Sequence, residues 1–220
     1  AQTANYTAVK ELTKDTTLKS GSYSSKSADE NVVLATGDIK AALSELTITK
    51  TGDSDGGDNS NFYGTNSGII AKDGASLTLK NLKVTTKASG ANGVFSYGGS
   101  ATTDNEGGDG TTVTISDSKI TTTGDNAGGI MTTGGGIMNA SDLTIKTAGT
   151  SSAAIRSDRG GGTVTVDGGT YTTTGAGSPA IYSTADITAS SAKLIAKASE
   201  GIVIEGKNSV TINDCELTDD

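Results

Sequence analysis

The fold of this chain is decided by a short repeated stretch, and its clearest copy is VTVDGGTY at residues 164–171. Residues 113–120 read VTISDSKI and residues 210–217 read VTINDCEL, so the same arrangement recurs before and after that copy. In each copy, a run of Thr, Val and Ile is followed by a turn rich in Gly, Asp, Ser or Asn and then by a second run that ends in an apolar or aromatic residue. This pattern predicts two short β-strands that meet at a corner.

Aligning such stretches along the whole chain gives three columns of mostly apolar residues. The middle column consists of Tyr23, Ile48, Val84, Ile120, Ile145, Tyr171, Leu194 and Leu217. The first column lies seven residues earlier and consists of Thr16, Ala41, Leu77, Val113, Met138, Val164, Ile187 and Val210. The third column follows the middle one, in most repeats by ten residues, and consists of Val33, Ile69, Val94, Ile130, Ile155, Ile181 and Ile202.

The spacing of these columns predicts an all-β, right-handed parallel β-helix, a solenoid of about eight coils. Successive middle-column residues are 25, 36, 36, 25, 26, 23 and 23 residues apart. The two spacings of 36 are 25-residue coils with insertions of 11 residues, a first insertion at roughly 51–63 and a second insertion at roughly 98–110. An antiparallel sandwich, the alternative fold, would show pairs of similar strands and not a three-part unit at fixed offsets.

We expect residues 1–220 to form a single β-helix domain. Residues 1–15 are predicted to form an N-terminal cap, with a weak helical period at 6–12. The last residues stop partway through a coil, which suggests an excerpt of a longer protein.

Composition restricts the class of function. Net charge is −8 and no basic cluster is present, so we expect neither nucleic-acid binding nor attraction to anionic membranes. No apolar run approaches the ~20 residues of a membrane-spanning helix. His is absent and Cys215 is the only cysteine, which excludes the common catalytic triads and most zinc sites.

Two coils, residues 111–135 and 162–185, carry a family resemblance, together with SPAIYSTA at 178–185 and EGKNSVTI at 205–212. They resemble the adhesin-like, pectate-lyase-like β-helix surface proteins of gut Firmicutes. The resemblance implies a bacterial protein that is secreted or exposed at the cell surface. It implies no particular activity, because this fold carries enzymes and adhesins alike.

The third strand is predicted to carry the binding site. The residues directly after its column are large, and we name them the outer stripe: Leu34, Ile70, Phe95, Met131, Arg156, Tyr182 and Val203. Strand alternation turns them outward, and an exposed apolar stripe with an Arg is typical of a binding surface. With the two insertions flanking this face, the predicted ligand-binding residues are Tyr63, Phe95, Tyr97, Met131, Arg156, Asp158, Arg159 and Tyr182.

From this face we predict a non-catalytic adhesin or binding module for a glycan or another cell-surface ligand. Aromatic rings offer apolar faces to sugar rings, and an Arg donates to hydroxyls or carboxylates. Three alternatives stay open. The stripe could dock a neighbouring domain of a longer surface protein or a second copy of the chain, the exposed Thr rows could bind ice, or the rod could be a structural stalk.

A further alternative is a polysaccharide lyase or glycoside hydrolase that uses carboxylates. Its candidates are Asp117 and Asp142, which share a turn position in adjacent coils, and the cluster of Arg156 and Asp158. We favour a structural role for the stacked Asp residues, as turn formers that cap backbone amides.

The first insertion is acidic and offers oxygen ligands for Ca²⁺ at Asp53, Asp55 and Asp58. It lacks the full EF-hand pattern and the repeated nonapeptide of calcium β-rolls. We therefore expect no cofactor, with Ca²⁺ as the alternative.

Overall fold

The computed structural model describes residues 4–55 and 57–220, and within them it contains twenty β-strands and one short helix. Eight strands form one sheet: β1 (Ala8–Leu12), β3 (Asn31–Thr36), β5 (Ile69–Lys72), β8 (Val94–Tyr97), β11 (Ile130–Thr133), β13 (Ile155–Ser157), β15 (Ile181–Ser183) and β18 (Ile202–Ile204). Twelve form the other: β2 (Thr16–Ser25), β4 (Lys40–Lys50), β6 (Ser76–Lys80), β7 (Lys83–Thr86), β9 (Thr112–Ser116), β10 (Lys119–Thr122), β12 (Gly136–Thr147), β14 (Gly162–Thr173), β16 (Asp186–Ser190), β17 (Lys193–Ala196), β19 (Ser209–Asn213) and β20 (Glu216–Asp219). Helix α1 spans Asp58–Phe62.

The strands stack in parallel as a β-solenoid of about eight coils, which confirms the predicted fold class. Every column also has the predicted register. In the middle column, for example, Ile120 pairs with Val84 on one side and Ile145 on the other. Because the three columns face inward, their side chains form one continuous core that runs along the rod.

The first and middle strands meet at a corner where one residue per coil has left-handed backbone. These residues are Ser20, Glu45, Asn81, Asp117, Asp142, Gly168, Ser191 and Asp214. Asp and Asn tolerate this conformation better than most residues, which explains their frequency at the corner. Asp117 and Asp142 are exposed there, and both have left-handed backbone.

A ladder of buried Thr hydroxyls closes the next corner, between the middle and third strands. Each hydroxyl donates to the carbonyl five residues later, at 2.5–2.7 Å, in Thr86, Thr122, Thr147 and Thr173. Lys50 occupies the same position in the coil that carries the first insertion. Its buried Nζ donates to the carbonyl oxygens of Ser27 (2.6 Å) and Thr51 (2.7 Å), and burial lowers its pKa. The ammonium thus ties the base of the first insertion to the preceding coil.

The N-terminal segment differs from its prediction. Residues 8–12 form strand β1, which pairs in parallel with β3. The interpretation of residues 6–12 as helical is therefore wrong. Pairing with the edge of the sheet satisfies more backbone groups than one isolated helical turn would. Residues 1–3 of the predicted cap lie outside the described residues. Across the described ranges, no helix is long and apolar enough to cross a membrane.

Candidate functional site

The outer stripe has the predicted register, but much of it is covered. Phe95 pairs with Ile70 and Met131, and Arg156 pairs with Met131 and Tyr182. These side chains point away from the central core, yet Phe95 and Met131 are 0% exposed. They form a second apolar cluster with Leu34, Ile70 and Tyr97. The expectation that Phe95 and Met131 lie open to a ligand is therefore wrong, and Tyr97 is only 4% exposed.

The end of the first insertion is what covers the stripe. The Phe62 carbonyl oxygen at the end of α1 accepts a hydrogen bond from Thr133 Oγ1 (2.6 Å). The next carbonyl, of Tyr63, accepts one from Tyr6 Oη (2.5 Å), and both Tyr rings pack on the second cluster. The position of Gly64 is equally tight, since a Cβ there would lie 2.6 Å from Ile70. An intramolecular segment thus occupies the place in which we expected a ligand.

The second insertion covers the glycine-rich corner after the third strand. Gly160 N donates to the Thr103 carbonyl (3.0 Å), and Asn105 Nδ2 donates to the Gly162 carbonyl (3.2 Å). A Cβ on Gly135 would lie 2.3 Å from the backbone of Gly107 and Gly108. The glycines therefore make room for this backbone, and several, including Gly135 at φ +83°, also need positive φ.

Two openings remain beside α1, and the first is the arginine pocket. It has a volume of about 200 Å³ and is lined by Ser151, Ala153, Arg156, Asp158, Gly177, Pro179 and Tyr182. Arg156 is 7% exposed, and its Nη1 donates to Asn92 Oδ1 (2.9 Å) and to the Asn126 carbonyl (3.2 Å). Its Nη2 lies 3.4 Å from Asn61 Oδ1 in α1.

Among the described residues, the hydrogen-bond partners of Arg156 are neutral oxygens. In the described part of the chain, no carboxylate oxygen lies within 4.0 Å of its guanidinium. Asp158, two residues later, instead accepts the backbone N–H of Arg159 (2.8 Å). Burial lowers the pKa of Arg156 and raises the pKa of Asp158. A buried guanidinium without a direct ion pair and a desolvated carboxyl in one pocket are typical of functional sites.

Tyr182 forms another wall of the arginine pocket. Its ring is half-buried, and burial together with a hydrogen bond to Glu205 raises the pKa of its hydroxyl. Pro179, the only proline of the chain, adds an apolar surface. The pocket thus combines a donor, an acceptor and an aromatic ring.

The second opening, the aromatic cleft, lies between the two insertions. Its volume is about 160 Å³, and it is lined by Phe62, Tyr63, Tyr97, Gly99, Ser100, Ala101, Thr103 and Arg159. The Tyr63 and Tyr97 rings meet edge to face with centroids 5.6 Å apart, and burial raises the pKa of Tyr97 to about 12. The Arg159 guanidinium lies 4.2 Å from the centroid of Phe62, a cation–π contact.

The three acidic residues of the possible calcium site are exposed. Asp53 Oδ1 accepts the backbone N–H of Ser89 (2.8 Å), and Asp55 Oδ1 accepts that of Gly57 (3.2 Å). Asp58 is the first residue of α1, and Gly56 lies outside the described residues. Among residues 4–55 and 57–220, no three His, Cys, Asp or Glu side chains are grouped as metal ligands.

Sequence reasoning missed part of the arginine pocket. Asn61 and Asn92 hold the guanidinium, and Pro179 lines the opening. Of these three residues, only Pro179 could have been found from the sequence, because a single proline just before a third strand is conspicuous. Nothing in the sequence indicated that Asn61 would reach a strand 95 residues away.

Comparison with known proteins adds little to this site. No family model and no curated protein matches the chain. A search of solved structures gives a weak similarity to the tailspike protein gp49 from Pseudomonas phage LKA1, with 13% sequence identity and a TM-score of 0.19. The alignment covers 96% of this chain and 48% of the tailspike chain, so this chain spans about half of that length. A TM-score this low carries no information about the site.

Proposed function

We propose that this chain is a non-catalytic glycan-binding module of a secreted or surface-exposed bacterial protein, with the arginine pocket as its ligand site. One observation carries the proposal: Arg156 is buried at a pocket wall, and among the described residues no carboxylate forms a direct ion pair with it. A buried charge without a direct ion-pair partner is costly, and ionisable groups in such surroundings cluster at functional sites.

The chemistry of the pocket suits a sugar. Neighbouring hydroxyls of a pyranose both donate and accept hydrogen bonds, which matches the Arg156 guanidinium and the Asp158 carboxylate in their charged forms. The half-buried ring of Tyr182 can pack against the apolar face of the sugar. Weak individual sites of this size gain strength when a surface carries many copies, which fits the adhesin-like proteins that the sequence resembles.

A glycan array probed with the intact protein tests this proposal. We expect wild type to bind a restricted set of glycans and Tyr182→Ala to lose that binding. Thr114→Ala, on the exposed face of the other sheet, is the matched control and should bind as wild type does. Absence of binding to any glycan, or unchanged binding by Tyr182→Ala, would contradict the proposal.

The raised pKa of Asp158 favours a second candidate, a polysaccharide lyase or glycoside hydrolase, because a carboxyl of this kind can act as a general acid. Incubation with acidic polysaccharides would then release reducing or unsaturated ends. Turnover that persists through purification and disappears in Asp158→Asn would favour the enzyme over the binding module.

A further inference from the structure

We infer that the arginine pocket and the aromatic cleft are two subsites of one elongated site, and that its ligand is an oligosaccharide longer than one sugar. This inference rests on the proposed function in taking the ligand to be a glycan. It adds that a single sugar fills only part of the site.

The two openings are tied to consecutive residues of α1. Arg156 Nη2 lies 3.4 Å from Asn61 Oδ1, and Arg159 Cζ lies 4.2 Å from the centroid of the Phe62 ring. The C-terminal end of α1 therefore contacts both arginines, and each arginine lines one opening.

The distance between the openings fits a short sugar chain. Arg156 and Arg159 are three residues apart, so their Cα atoms are separated by at most about 11 Å. A ligand of two or three linked sugars is long enough to span this separation of the two backbone positions.

The volumes support the same conclusion. About 200 Å³ and about 160 Å³ are each below the ~300–1,000 Å³ of a typical ligand pocket, whereas the two openings together lie within that range. Each opening is thus of a size for one sugar unit.

The placement of scarce residue types points to the same surface. Arg156 and Arg159 are the only arginines among 17 basic residues, and each lines one of the two openings. Arg is suited to polar ligands because its planar fork presents several donors at once, whereas Lys is a flexible point charge. Four of the eight aromatic residues also line these openings: Phe62, Tyr63, Tyr97 and Tyr182.

The aromatic cleft complements the arginine pocket. Arg159 is exposed, and its stacking on Phe62 holds the guanidinium at the rim. The rings of Phe62, Tyr63 and Tyr97 provide an apolar wall against which a second sugar can pack.

Calorimetric titration with oligosaccharides of increasing length tests this inference. The probes are oligogalacturonides, xylo-oligosaccharides and cello-oligosaccharides, each from the monosaccharide to the hexasaccharide. In at least one series we expect Kd to fall about tenfold or more between the monosaccharide and the trisaccharide and then to level off. Arg159→Gln should remove most of that gain, and it should leave folding intact because the side chain is exposed.

Three outcomes separate the two proposals. A Kd independent of chain length, or an unchanged trisaccharide affinity in Arg159→Gln, would overturn the two-subsite inference and leave the glycan-binding function standing. Binding of none of the sugars would overturn the inference and count against the function as well. Thr114→Ala is again the control and should retain the wild-type length dependence.

Discussion

Replacing Phe95 with alanine should destabilise the protein by about 3–5 kcal/mol. The ring is 0% exposed and packs in the second apolar cluster with Ile70 and Met131, beneath the end of the first insertion. Transfer of a buried Phe side chain to water costs up to about 3 kcal/mol, and the cavity that remains adds to this cost. In a chain of this length, the loss corresponds to a fall in Tm of between about 6 and 20 °C.

Urea denaturation monitored by circular dichroism measures this loss, and hydrogen exchange locates it. We expect exchange to accelerate first around α1, because Tyr63 and Gly64, directly after this helix, pack on the second cluster. Tyr182→Ala is the matched control, since Tyr182 belongs to the outer stripe but is only half-buried, and it should cost clearly less. A loss below about 1 kcal/mol for Phe95→Ala would show that the outer stripe is open. The first insertion would then not cover it.

Four further changes test other parts of the structure. Lys50→Met should lower Tm, because the carbonyls of Ser27 and Thr51 lose their donor; an unchanged Tm would contradict the role of Lys50 in linking the first insertion to the preceding coil. Gly149→Ala should cost about 1–3 kcal/mol in urea denaturation, since its Cβ would lie 1.9 Å from the Gly124 carbonyl oxygen; a cost near zero would mean that the coils are less tightly stacked. Asp158→Asn should raise Tm at neutral pH and not in acid. The sign follows from the raised pKa: the carboxyl contributes its stability below the pKa of the unfolded chain and loses it as pH rises through the folded value, so a gain that persists in acid would contradict burial as the cause. Millimolar Ca²⁺ should leave Tm unchanged, whereas a rise would show that the folded chain binds Ca²⁺, with the acidic first insertion as the candidate site.

Sequence periodicity predicted the solenoid because each inward position obeys the same rule in every coil. A column such as Val113, Met138 and Val164 must be apolar, since stacked inward side chains share one core. Two 36-residue spacings then located both insertions. The corner residues were equally predictable, because left-handed backbone favours Asp, Asn and Gly.

The site was only partly predictable, because its cover comes from residues outside the repeat. The outward direction of Phe95 followed from its neighbour Val94 in the third column. Its burial did not, since nothing periodic relates the first insertion to the strand that it covers. The same segment supplies Asn61 to Arg156, a contact between residues far apart in the chain. Alternation therefore predicts which side chains leave the core, and the folded insertion decides which of them a ligand can reach.

Hydrogen exchange of the intact protein, with and without the oligosaccharide that binds best on the array, tests the central claim most directly. The account predicts protection on binding in two segments, residues 151–159 and 177–183, which form the arginine pocket. It also predicts protection around α1, at the border of the aromatic cleft. Protection confined to the Thr-rich face of the twelve-stranded sheet, or no protection under saturating ligand, would contradict it.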